Sequence, residues 1–159
     1  MAVATIVVVA DQATKWAIIQ HIAYLEFYDT PSNDFIRLTH QRNYGAAWSF
    51  LANAGGWQRW FFVALASGVS VFIGTWLWRL EKQAPIVLAA GLALVLGGAV
   101  GNLIDRIRLG YVTDFFQVTL SSVPFFDPFP SFNVADSAIT VGAALLIIDA
   151  LFFSGKTES

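Results

Sequence analysis

No cysteine occurs among the 159 residues, which excludes disulfides, thiolate zinc sites and a cysteine nucleophile and leaves the redox compartment unreadable. Histidine occurs twice, as His21 and His40, with no H-E-x-x-H pattern, which argues against a zinc protease. Neither a G-x-S-x-G elbow nor a glycine-rich phosphate loop is present, so a serine hydrolase of that type and a nucleotide-binding enzyme have no support. Charge is scarce as well. Lys and Arg number 9, Asp and Glu 11, giving 13% charged residues and a net charge of −2, where an ordinary soluble domain is about 25% charged. No basic field exists to attract nucleic acid. The opening MAVATIVVVADQATK has neither the basic region nor the small-residue cleavage pattern of a signal peptide, and reads as a retained anchor. Only ten residues precede Asp11, so the first span is expected to be short or to have its start misassigned.

What the chain has in abundance is apolar length, with 57% of its residues hydrophobic. A membrane helix needs about 20 mostly apolar residues, because each adds roughly 1.5 Å across a hydrocarbon core about 30 Å thick. Trp60–Trp78 and Gln83–Ile104 satisfy this with 19 and 22 uncharged residues. The short charged segment Arg79–Lys82 joins them into a hairpin, with Pro85 at a helix start. Ser137–Ser154 is apolar apart from Asp149, and Ala2–Ile22 is interrupted by Asp11 and Lys15. The expectation is an all-α membrane protein of four spans, about 2–22, 60–78, 83–104 and 137–154, forming a single domain over 1–159 with both termini on one side. The positive-inside rule, applied to the tight Arg79–Lys82 turn, puts that turn and the termini in the cytoplasm.

Between the first two spans, IRLTHQ alternates Ile36, Leu38 and His40 with Arg37, Thr39 and Gln41, as a half-exposed strand does. A small extracytoplasmic sheet on the membrane surface is expected in the region 26–56, since open strand edges cannot lie in lipid. NYGAAWSFLANAGG then reads as a turn, a short apolar piece and a glycine-rich turn. The connection 110–132, with VPFFDPFPSF, is rich in Phe and Pro and suits the water–lipid interface.

Polar groups within apolar spans need a reason, because an Asp or Lys at mid-membrane costs roughly 2.5–3.5 kcal/mol on insertion scales. Asp11 and Lys15 stand four apart on one helical face, where they can pair or snorkel. Asn43 and Gly45 read as turn residues, or as an amide that holds substrate backbone. Asn102, Asp105 and Arg106 close the third span, Gly110 can end its helical path, and Asp114 follows among Val112, Phe115 and Phe116. Asn133 and Asp136 resemble a capping box at the fourth helix. A capping role explains Asp136 alone, but two carboxylates converging at one side of a helical hairpin would share a proton and supply a base and an acid together. If the protein is a hydrolase, subtraction leaves an aspartic one. The other reading is a small transporter or proton conductor using Asp11, Lys15, Asp105 and Asp136 as relay sites; it requires carboxylates spread through the bilayer depth.

The blocks DQATK, NYGAAWSF, GNLIDRIRLGYVTDF and FNVADSAITVG, together about a quarter of the chain, resemble in order and placement those of the lipoprotein signal peptidase (signal peptidase II) family. The resemblance implies that Asp114 and Asp136 are the catalytic dyad, that Asn43, Asn102, Arg106 and Asn133 bind substrate or position the dyad, and that Asp11, Lys15, Asp105 and Gly45 support the site. It further implies cleavage of diacylglyceryl-modified prolipoproteins just before the lipidated cysteine, at the outer side of the bacterial inner membrane, without metal or other cofactor. Membrane lipid and globomycin-like cyclic peptide inhibitors are the other partners it implies, and nucleic acid is not one. Trp48 stands where the family usually has Phe, and no function transfers to 115–132.

Overall fold

The computed structural model of the chain describes residues 1–29, 36–45, 55–81, 83–119 and 129–153. Its elements run α1 (Ala2–His21), β1 (Phe27–Asp29), β2 (Ile36–Asn43), α2 (Trp57–Arg79), α3 (Ile86–Arg108), β3 (Val112–Val118) and α4 (Val134–Phe152). All four helices are long and apolar enough to cross a membrane. The expected ends shift by a few residues, each for a local reason. α2 begins at Trp57 because the break is the positive-φ pair Gly55 and Gly56, not the charge on Arg59. α3 starts only after Pro85 and runs on to Arg108, because Asp105 and Arg106 find partners instead of forcing an exit to water. α4 starts at Val134, where Asn133 and Asp136 form the reciprocal capping box anticipated from their spacing.

The central helix is α3, against which α1, α2 and α4 all pack. Lipid tails are as apolar as leucine, so helices associate in a membrane through close backbone approach at small residues rather than through hydrophobic burial. Glycines on α3 provide that approach. A Cβ on Gly97 would come within 2.7 Å of the Val7 Cβ on α1, and one on Gly91 within 2.9 Å of Leu146 on α4. At Gly98 a Cβ would collide with the Ala135 carbonyl oxygen and lie 2.7 Å from Ile139 Cγ1. Leu92 and Leu96 on α3 close the apolar core with Ala4 and Ile73.

At the end of the bundle where α3 stops and α4 starts lies a three-stranded antiparallel sheet, ordered β1-β2-β3. Two of its strands fall in the expected region, but the third, β3, comes from the segment after α3 that the sequence reads as a connecting loop. Asp114 is therefore held on a strand, opposite Gln41 of β2. The simple alternation expected along β2 also fails: between Leu38 and Gln41 two residues face the single residue Phe115, a bulge that leaves adjacent Thr39 and His40 both buried. Thr39 Oγ1 donates to the Glu26 carbonyl and His40 Nδ1 bonds the Ile22 carbonyl, tying the sheet to the end of α1. On the far side of β3, Phe132 continues the pairing through Phe116. The apolar piece after Gly45, with Trp48, lies outside the described residues.

Gly98→Ala is expected to cost about 1–3 kcal/mol of stability, the usual consequence of overpacking. Denaturant or thermal unfolding in detergent micelles measures it, and the loss should exceed that of Gly68→Ala, where a Cβ meets no atom within 4 Å.

Candidate active site

The site starts from one lysine. Lys15 Nζ, almost wholly buried on α1, has three N–H donors and three acceptors: Asp11 Oδ2 at 2.9 Å, Asn102 Oδ1 at 2.9 Å and Asp105 Oδ2 at 3.2 Å. The i, i+4 pairing anticipated for Asp11 and Lys15 is present, and α3 adds two members to it. Both carboxylates are further satisfied by N–H groups. Asp11 Oδ1 accepts from the Ala135 amide at 2.9 Å, in the first turn of α4 where the helix dipole favours a negative charge. Asp105 accepts from Gln12 Nε2 at 3.0 Å and from the Thr113 amide at 3.0 Å. Gly101 is the passage for this network, since a Cβ there would come within 2.7 Å of Asp11 Oδ2.

Lys15 also determines which way the Asn102 amide points. An ammonium only donates, so Oδ1 faces Lys15 and Nδ2 turns to Asp136 Oδ1, at 2.8 Å. The same logic orients the other two asparagines. Asn133 Oδ1 accepts the Asp136 amide at 2.9 Å, leaving Nδ2 for Asp114 Oδ1 at 2.7 Å. Asn43 Oδ1 accepts the Gly45 amide at 3.0 Å, leaving Nδ2 for Asp114 Oδ2 at 3.1 Å. The fourth oxygen, Asp136 Oδ2, accepts the Asn133 backbone N–H at 3.2 Å. Each oxygen of Asp114 and Asp136 thus has one N–H donor, and each asparagine side chain is locked by a group that can only donate. Asn43 is thus a turn residue whose Nδ2 is committed to Asp114.

Burial raises the pKa of Asp114 to about 7, with the neighbouring Asp136 charge adding to the rise; hydrogen bonds from Asn43 and Asn133 and the charge of Lys15 hold it back. The next residue on β3, Phe115, is itself buried, with its ring tilted against that of Phe116. A carboxyl raised this far keeps part of its proton near neutral pH.

Arg106 does not bond either carboxylate directly. Its guanidinium donates to the Gly45 carbonyl at 3.0 Å and to its own helix at the Asn102 carbonyl at 3.4 Å, with Phe62 beneath it at 5.1 Å. It braces the turn that carries Asn43 against α3. Asp105, read as structural, sits with Lys15, Gln12 and Thr113 and not with Arg106. The sequence reading passed over Gln12, whose Nε2 also bonds Asp11 and the Gly101 carbonyl; a third polar side chain within an apolar span was the available signal. Among the described residues no cluster of three or more His, Asp or Glu side chains has the placement to hold a metal ion.

The family model described as signal peptidase (SPase) II matches residues 3–152. The chain belongs to that family. Signal peptidase II proteins are aspartic-type peptidases, and the four helices make this member a multi-pass bacterial membrane protein. It is similar to the lipoprotein signal peptidase of Acinetobacter baumannii strain ATCC 17978, 48% identical over 152 residues that cover 96% of this chain and 82% of that protein. A second relative, the lipoprotein signal peptidase of Teredinibacter turnerae, is 48% identical over 150 residues, covering 94% and 85%. The fold is similar to that of a bacterial membrane enzyme solved by the in meso method at 2.3 Å resolution, with a TM-score of 0.82 at 30% identity over 99% of this chain and 91% of that one.

Lys15→Met leaves Asp11 and Asp105 buried together without their cation, and is expected to cost about 3–5 kcal/mol. Adding Asp105→Asn removes one unpaired charge and should restore part of that loss, as read by thermal unfolding of the single and double variants.

Proposed function

We propose that the protein is an endopeptidase that removes signal peptides from diacylglyceryl-modified prolipoproteins by hydrolysing the bond just before the lipidated cysteine, with Asp114 and Asp136 activating water. The observation that carries the reading is the buried carboxylate pair, with every oxygen held by an N–H donor and Asp114 raised to about 7. One carboxylate takes a proton from water as it attacks the peptide carbonyl. The other, protonated, donates to the developing oxyanion; on collapse the first carboxylate passes the proton it took from water to the leaving amine, and the second recovers its own as the carbonyl re-forms. The asparagines keep both side chains in place without neutralising them, which costs the reaction no reorganisation.

The family and the names of its relatives support the substrate class, and the position of the pair supports its lipid anchor. The pair lies where α3 ends and α4 begins, at the bundle end that carries the sheet, so acyl chains can remain in the bilayer while the scissile bond reaches the interface. The basic turn between α2 and α3 is at the opposite end, and by the positive-inside rule this supports an extracytoplasmic site at the inner membrane. Residues 1–159 act as one peptidase unit, with membrane lipid around it, and globomycin-like cyclic peptides compete for the substrate site. A proton relay is less well supported, because Asp11, Lys15, Asp105 and Asp136 belong to one bonded network through Asn102 instead of a series through the membrane.

Asp114→Asn and Asp136→Asn are each expected to lower cleavage of a lipidated precursor by at least roughly 10²–10⁴-fold, the range for loss of a general acid or base. Near-normal turnover by either purified, folded variant would remove the dyad. For the wild type, kcat/KM should decline as pH rises through about 7, where Asp114 loses its proton and the pair its acid, and decline again in acid once the base is protonated. Comparison of lipidated and unmodified precursor, with and without globomycin, tests the substrate; equal cleavage of the two forms overturns that part and leaves the dyad standing.

A further inference from the structure

Arg59 sits in the first turn of α2, where a positive charge is unfavourable to its own helix dipole. Its side chain is directed elsewhere. Nε donates to the Arg106 carbonyl at 2.9 Å and Nη2 to the Ile107 carbonyl at 2.8 Å. These carbonyls belong to the last turn of α3, which has no further helical N–H to receive, and a cation there is favoured by the dipole. The chain then turns around the guanidinium: Gly110 has φ +84°, and a Cβ on it would lie 3.4 Å from Arg59 Nη1. An L residue would be strained at that φ, with its Cβ in van der Waals contact with the arginine. Four residues past this turn stands Asp114.

A second connection leads to the same carboxylate. Arg59 holds the backbone of Arg106, while Phe62, one helical turn along α2, lies under its guanidinium. The Arg106 side chain in turn holds the Gly45 carbonyl, and the Gly45 amide orients Asn43, which donates to Asp114. One side chain on α2 is therefore bonded both at the turn that leads to Asp114 and at the start of the contacts that reach the amide holding it.

We infer that Arg59 is a positioning residue for the hydrolysis, fixing the α3-to-β3 turn and the Arg106 backbone so that Asp114 is presented to Asp136. The inference rests on the dyad reading. It implies that loss of Arg59 affects turnover more than binding, because the groups it places are those that react. It also implies that a loosened turn lets water reach Asp114, which lowers the pH at which that carboxyl ionises.

The test uses the full chain in micelles with a lipidated precursor, and the variants Arg59→Gln and Arg59→Lys beside Asp114→Asn. Arg59→Gln is expected to reduce kcat roughly 10–100-fold, the scale of a misplacement of about 1 Å, with KM within about twofold and the alkaline limb of kcat/KM moved to lower pH. Arg59→Lys, which keeps the charge and one carbonyl bond, should recover part of kcat and of the pH shift. A wild-type kcat in Arg59→Gln overturns the inference, and so does a loss that matches the unfolded fraction with the alkaline limb unmoved. If Arg59→Gln does not fold, Arg59→Lys decides: reduced kcat with a displaced limb supports the role, and wild-type values for both overturn it. An inactive Asp114→Asn beside a normal Arg59→Gln removes only this inference, whereas an active Asp114→Asn removes the dyad itself.

Discussion

The three bonds of the Lys15 ammonium join α1 to α3, and through its partners they reach every element around the site. Asp11 extends the connection to the first turn of α4 and Asp105 to the start of β3. A single buried cation between two carboxylates would ordinarily be weak support for a fold, because desolvation offsets the attraction. Here the remaining lone pairs are taken by backbone amides at a helix start and a strand start, which makes the cluster a joint between elements as well as an ion pair. The joint also imposes direction, because the charge on Lys15 forces the Asn102 oxygen toward itself and the Asn102 amide toward Asp136.

Such a joint solves a problem set by the membrane. A pair of carboxylates capable of acid and base chemistry has to be shielded from water so that it keeps a proton near neutrality, yet it cannot be left without hydrogen bonds in a medium of low dielectric. Neutral amides meet both conditions. Three asparagines and one backbone N–H give each oxygen a donor without adding a positive charge that would favour ionisation. The cations stay one step away, Lys15 behind Asn102 and Arg106 behind Gly45. The small glycines of α3 are the packing counterpart, since they bring α1 and α4 close enough for side chains on three helices to meet.

Much of this was legible in the sequence because it is local. The spans follow from apolar length, the Asp11–Lys15 pair from a spacing of four, and the α4 cap from Asn133 and Asp136 standing three apart. The chain turn at Gly110 was legible for the same reason. What escaped was non-local. No periodicity in 112–118 marks β3 as a strand, because a segment buried on both faces among aromatic neighbours reads as an apolar connection. The bulge at Thr39 and His40 depends on β3 being present to oppose it. Arg59 stands just before the expected span 60–78, and nothing nearby in sequence signals that its partner is the end of another helix. The convergence of Asp114 with Asp136 could be argued only as a possibility of a helical hairpin, and it took the sheet to define the side from which Asp114 arrives.

The proposed chemistry requires the pair to hold a proton that an isolated aspartate would have lost. Carboxyl-selective infrared titration of the wild-type protein in lipid, differenced against Asp114→Asn, measures this directly. The expected result is a protonated-carboxyl band that persists through mildly acidic pH, vanishes with a midpoint of about 7, and is missing from the variant. A carboxyl that titrates near the ordinary aspartate value of about 4, or a spectrum unchanged by the substitution, would contradict it.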